Sequence, residues 1–219
     1  MKPKLELDML VKEAKAFCEI EAKKNHIQLW GTTDGKAVGT YVEHKFKRYL
    51  KEKYEFTIGN SASGIDLPDD DINTDIKVTS IKQPQSSCPY KDSKQKIFGL
   101  GYNLLVFVYD KIDSENECKL NFINCTFINA NRTADYTTTK RINEMINDGA
   151  NKEDIMGYFM DRAIPGDEIT LSNLADLVIK NAPNQGYLTI SNALQWRLQY
   201  ARVISLNNEI EGVVNVNFK

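Results

Sequence analysis

The run Leu104-Leu-Val-Phe-Val-Tyr109 is almost uninterruptedly apolar and rich in β-branched and aromatic residues. Such a strand has no solvated face, so layers must cover it on both sides, as in the interior of a mixed sheet. The flanking segments supply those layers. From Leu5 to about Lys24, Leu7, Met9, Leu10, Ala14, Phe17, Cys18 and Ala22 recur at helical spacing. A second amphipathic helix, about Ala37 to Lys53, carries Val38, Val42, Phe46, Tyr49 and Leu50 on its inner stripe, with Glu43 on the flank of that stripe.

Strands are expected at Tyr54 to Ile58, from Ile65 into Asp66, and at Ile72 to Ser80. Gln83-Pro-Gln-Ser-Ser-Cys-Pro-Tyr90 then reads as a polar loop kept irregular by its two prolines. A short helix around Ser93 to Phe98 precedes the apolar strand, and Lys119 to Asn129 is the next strand. Helix, hairpin, helix and central strand predict an α/β sandwich around a small mixed sheet. The last third differs. Thr138 to Asp148, Lys152 to Arg162 and Leu171 to Asn181 read as helices, and Ser191 is placed to cap a further helix through Trp196 to about Val203. Gly212 to Phe218 alternates as a final strand. The expectation is a core of residues 1–130 beside a mainly helical, winged-helix-like portion of residues 131–219, or one domain continuous through both.

With 219 residues, 42% hydrophobic and 26% charged, the composition is that of a globular chain with one sizeable core. No apolar run approaches the roughly 20 residues that span a bilayer. Met1-Lys-Pro-Lys-Leu-Glu-Leu7 lacks the apolar stretch of a secretory signal. Cys18, Cys88, Cys118 and Cys125 form no CxxC pair, and the only histidines are His26 and His44, so a structural zinc site is not expected. Free thiols in a cytoplasmic protein are the expectation.

A net charge of −2 does not advertise a polyanionic partner, but its distribution does. Lys36 to Lys53 holds six basic residues against Glu43 and Glu52, and Lys77 to Lys96 holds five lysines against Asp92. Between them Asp66, Asp69, Asp70, Asp71 and Asp75 form an acidic island. A basic field around an acidic centre suits a metal-dependent enzyme acting on a polyanion. Within the island, Asp75 and Lys77 stand two residues apart on an expected strand and project from one face, while the Pro/Asp turn brings Asp66 alongside. Asp69, Asp70 and Asp71 read as turn caps. Two carboxylates and an ammonium converging on one point can hold a divalent cation and activate a water against a phosphodiester.

Asp66, Asp75 and Lys77, with the eight residues Leu67 to Thr74 between the two acids, resemble the active-site pattern of the PD-(D/E)xK nuclease superfamily. One departure is Ile65, where the motif has proline. The stretch from Gly31 to Lys111 looks like the catalytic core of a type II restriction endonuclease. That resemblance implies a restriction-endonuclease-like fold and a Mg2+-dependent hydrolase, with Asp66, Asp75 and the backbone carbonyl of Ile76 as metal ligands. It also implies that Lys77 orients the attacking water and that Glu43 is the assisting helix glutamate.

Candidate DNA contacts follow. Gln83, Gln85, Ser86, Ser87, Tyr90 and Lys91 offer amide, hydroxyl and ammonium groups just beyond Lys77, and Lys94 and Lys96 are placed to clamp the backbone. Asn192, Gln195 and Arg197 give the expected Ser191 helix a polar face suited to a major groove. The expected partners are double-stranded DNA, a second copy of the chain, and a DNA methyltransferase that protects host DNA. A structure-specific repair or junction nuclease of the same superfamily and a non-catalytic DNA-binding regulator are the alternatives.

Overall fold

The structure, a computed structural model, describes residues 2–59, 64–88, 91–191 and 196–218. Two helices come first, α1 (Leu7–Glu21) and α2 (Gly35–Lys53), the second capped by the Asp34 carboxylate, which accepts the Lys36 N–H at 2.9 Å. Strands β1 (Thr74–Ser80) and β2 (Gln85–Cys88), helix α3 (Lys94–Phe98), and strands β3 (Asn103–Asp113) and β4 (Cys118–Ile128) follow. Helices α4 (Tyr136–Asn147), α5 (Lys152–Asp161) and α6 (Glu168–Lys180) precede β5 (Thr189–Ile190), β6 (Trp196–Gln199), one helical turn at Ala201–Ile204, and β7 (Val213–Asn217).

The elements form two compact units, Met1–Ser86 with Tyr102–Ile128 and Val203–Lys219, and Ser87–Gly101 with Asn129–Arg202. The units do not follow the linear division at 130/131. The last segment of the chain returns to the first unit.

In the first unit the strand order is β1-β3-β4-β7, with β1 and β3 parallel and the other neighbours antiparallel. The expected mixed sheet with the apolar strand inside it is therefore present, flanked by helices. Ile76, Leu105, Phe107, Phe122 and Phe127 share one buried cluster with residues of α1 and α2. Phe107 sits at its centre, with ring centroids 5.0 Å from Phe46, 5.9 Å from Phe17 and 6.1 Å from Phe122. Leu104, Val106 and Val108 alternate to the opposite face and are equally buried. The β7 edge is fastened by side-chain amides: Asn124 Nδ2 donates to Asn217 Oδ1 and the Thr126 hydroxyl to Asn215 Oδ1, both at 2.9 Å.

The second unit packs Ile97 with Ile142, Ile155, Phe159, Leu171, Leu174 and Val178. Its buried Asp135 joins two elements: Oδ1 accepts the Thr138 N–H and caps α4, and Oδ2 accepts the Ile190 N–H, both at 2.8 Å. Asp135→Ala is expected to cost about 2 kcal/mol, since a cap is lost and a buried N–H is left without an acceptor. Urea denaturation measures this, and Asp135→Asn should recover part of the loss.

Four local expectations are corrected. Trp196–Gln199 is a strand, not helix, with Thr189 opposite Gln199 and Ile190 opposite Leu198. Ser191 caps no helix there; its Oγ accepts the Arg197 N–H at 3.0 Å. Gln85–Cys88 is a strand, because the two prolines bracket it rather than interrupt it. Tyr54 to Ile58 makes only an isolated bridge between Glu55 and Lys4, and Asp66 stands in a bend before a bridge between Leu67 and Thr74. The final strand, β7, pairs with β4 in the central sheet.

Candidate active site

Strand β1 lies at the edge of its sheet, with β3 on one side. On the other side the preceding segment folds back, and Leu67 and Thr74 exchange backbone hydrogen bonds of 3.0 and 2.9 Å. The Asp69 carbonyl closes the turn by accepting the Ile72 and Asn73 N–H groups at 2.9 and 2.7 Å. Asp66 is thereby held against β1, and its Oδ2 accepts the Ile76 N–H at 2.9 Å. A strand residue directs its N–H and C=O to the same side, so the Ile76 carbonyl also faces the Asp66 side.

Asp75 and Lys77 share the other periodicity of β1, and the Lys77 ammonium meets Asp75 Oδ2 at 2.7 Å. From α2, Lys47 donates to Asp66 Oδ1 and, at 2.7 Å, to Glu43 Oε1. Glu43, Lys47, Asp66, Asp75, Ile76 and Lys77 line one cavity of about 710 Å3, joined by His44, Arg48 and Lys51 of α2. The structure thus brings together the four side chains and the carbonyl expected to form the site. Lys47 belongs to the site as well, although it was not among the expected residues. The signal was its place one residue after Phe46, on the same flank as Glu43.

Burial pushes the Asp75 carboxyl up to about 7, with Asp66 adding to the rise and Lys77 opposing it. For Asp66 burial also acts upward, but hydrogen bonds from Asp75, Lys47 and the Ile76 N–H outweigh it and hold the group below the ordinary range. Below about pH 7 the two acids therefore share one proton, which resides chiefly on Asp75. Burial alone would lower the Lys47 ammonium, yet Asp66 and Glu43 raise it, so it is a fixed cation.

The donors suited to a hard divalent cation are the carboxylates of Asp66 and Asp75 and the Ile76 carbonyl. Among the described residues no cluster of three or more His, Cys, Asp and Glu ligands forms. Two carboxylates with a carbonyl nevertheless fit Mg2+, which retains several waters. A buried and a half-buried acid sharing a proton are also a donor set that a cation can satisfy by displacing that proton.

The residues expected to contact DNA are more dispersed. Gln83 and Ser87 are exposed, and Gln85 and Ser86 are half-buried. The Thr79 hydroxyl ties this stretch down by donating to the Gln83 and Gln85 carbonyls at 3.0 and 3.1 Å. Lys91 and Lys94 are exposed. Lys96 is not available to clamp a backbone: it is buried, and its ammonium donates to the Ile190 carbonyl at 2.8 Å. Five residues of α3 are too few to reveal which side faces inward. Arg197 is exposed on β6, while Tyr90, Asn192 and Gln195 lie outside the described residues. None of the described members of this group lines the cavity. The four cysteines are free and buried, and among the described residues no helix is long and apolar enough to cross a membrane.

The family model for the type II restriction enzyme NspV matches residues 4–215, a span that takes in most of both units and every residue of the cavity. Type II restriction enzyme NspV of Nostoc sp. (strain ATCC 29411 / PCC 7524) is 51% identical over 214 residues, covering 97% of this chain and 96% of that protein. No solved structure matches the chain. The extent of the match and the level of identity show that the chain belongs to the NspV family of type II restriction enzymes.

Proposed function

We propose that this restriction endonuclease hydrolyses phosphodiesters of a specific duplex sequence with Mg2+, at the cavity where Asp66, Asp75 and Lys77 converge. The observation that carries the reading is the pair of neighbouring carboxylates, each met by its own lysine, in a cavity with a basic rim. Asp66, Asp75 and the Ile76 carbonyl would hold the cation. When bound, Mg2+ supplies positive charge for the scissile phosphate and lowers the pKa of a water.

Lys77, hydrogen-bonded to Asp75, orients the attacking water and sets its charge beside the oxygens that become more negative in the transition state. Glu43 acts through Lys47, which fixes Asp66. Arg48 and Lys51 on the cavity rim attract the phosphate backbone, and this contribution weakens as salt rises. A palindromic site cut in both strands calls for a homodimer with two such cavities. In the cytoplasm the enzyme then needs a cognate DNA methyltransferase to protect the host sequence.

Incubation with a mixed-sequence plasmid tests the reading. Discrete fragments in Mg2+, and none in EDTA, are the expected result. Nicking governed by DNA structure would favour a junction or repair nuclease, and duplex binding without metal-stimulated cleavage would favour a regulator. Either outcome would overturn the proposal.

A further inference from the structure

We propose that Lys47 is a positioning residue that stands in for the metal, holding Asp66 in the metal-free enzyme and yielding it when the cation binds. The inference rests on the assignment of Asp66 and Asp75 as the metal-binding pair. Asp66 has two oxygens, and both are engaged. Oδ2 is committed to the β1 backbone through the Ile76 N–H, at 2.9 Å. Oδ1 accepts from the Lys47 ammonium, which therefore lies where a cation bound to that oxygen would lie.

An ammonium and a divalent cation cannot share that oxygen in a partly dehydrated site without strong repulsion. The Lys47 side chain is only 11% exposed, so water screens little of that repulsion. Displacement need not send the ammonium back to solvent, because Glu43 Oε1 already accepts from it at 2.7 Å. Glu43 is one turn away on the same helix and keeps the displaced charge partnered. The helix glutamate would then serve the site as a resting place for Lys47, not as a ligand. In the metal-free state the same lysine keeps Asp66 oriented, so the cation meets a formed site.

Titration calorimetry of the DNA-free enzyme with MnCl2 tests the exchange. Lys47→Met, which removes the competing charge at similar length, is expected to bind Mn2+ about fivefold more tightly, equivalent to about 1 kcal/mol. Its metal-free form should also melt at a lower temperature. Lys47→Arg keeps the cation and should keep the parent affinity. A lysine with a merely structural role would lower the melting temperature without tightening Mn2+ binding, so unchanged or weaker affinity in Lys47→Met overturns the proposal. If that variant does not fold, amine-acylation mass spectrometry of the unsubstituted enzyme decides. Mn2+ should raise the labelling of Lys47, and labelling indifferent to Mn2+ would refute the exchange. Asp75→Asn separates the two levels of the argument: parent-like Mn2+ binding in that variant would remove the site assignment itself. Loss of binding there with no change in Lys47→Met would remove only the role of Lys47.

Discussion

Asp75→Asn and Lys77→Ala should each reduce cleavage of duplex DNA by on the order of a thousandfold, while leaving duplex binding measured in EDTA within a few-fold of the parent. The asparagine preserves the shape of the aspartate and can still accept a hydrogen bond from Lys77, so the strand and its packing persist. What it removes is the negative charge that, with Asp66, would hold the cation. The alanine removes the ammonium that sits 2.7 Å from Asp75 Oδ2 and, on the proposed reading, would supply charge to the transition state. On the proposed reading, backbone contacts to DNA come from other cations, among them Arg48 and Lys51 on the cavity rim, so binding should be separable from chemistry. Single-turnover cleavage with fluorescence anisotropy on the same duplex resolves the two effects. Undiminished cleavage in either variant would mean that the reaction is performed elsewhere.

The second large effect concerns stability and pH. Asp75 has a carboxyl raised from 3.8 to about 7 in the folded protein, chiefly by burial. Between those values the folded state holds a proton that the unfolded chain has released, so stability must fall as pH rises through this window. The loss should be complete once pH exceeds about 7. Its size is on the order of 2–4 kcal/mol. Asp66 works in the opposite sense: its lowered carboxyl adds stability above its unfolded value and loses it in acid, below the Asp75 window. Relative to Asp75→Asn, the metal-free parent should therefore lose stability from pH 5 to pH 8, while His26, lowered by burial, acts in the opposite sense in both proteins. Asp75→Asn, permanently neutral, should lack this slope and melt higher than the parent at pH 8. Differential scanning calorimetry in EDTA across that range checks the sign. A parent whose stability rises toward pH 8 relative to the variant would contradict it. At pH 8 and without metal, Asp75→Asn is thus expected to be the more stable protein, because Asp75 is held where burial opposes its charge.

How much of this was legible in the sequence depended on the length of the pattern. Leu104 to Tyr109 revealed itself because six consecutive apolar residues suit only a position covered on both sides. Asp75 and Lys77 were readable as neighbours because the two-residue period of a strand is rigid, and the turn at Asp69 to Ile72 was marked by its composition. Trp196 to Gln199 misled because four residues are too short to distinguish alternation from a helical face. In the structure Leu198 and Tyr200 are buried while Arg197 and Gln199 are exposed, a strand pattern that the polar residues had suggested as a groove-facing helix. Lys96 misled for a related reason: a buried lysine partnered by a distant carbonyl leaves no local trace. The role of Lys47 needed a contact across nineteen positions, to Asp66, and no helical spacing can display that.

The placement of β7 has a consequence for how a nuclease comes into being. Residues Ser87–Gly101 and Asn129–Arg202, the whole second unit, leave the ribosome before Val213–Asn217 does. That unit can close on its own buried cluster while β4 still has an open edge waiting for its antiparallel neighbour. The four-stranded sheet that carries Asp75 and Lys77 on β1 is completed only when β7 docks. The order of the chain therefore places the closing of this sheet edge after the second unit has emerged.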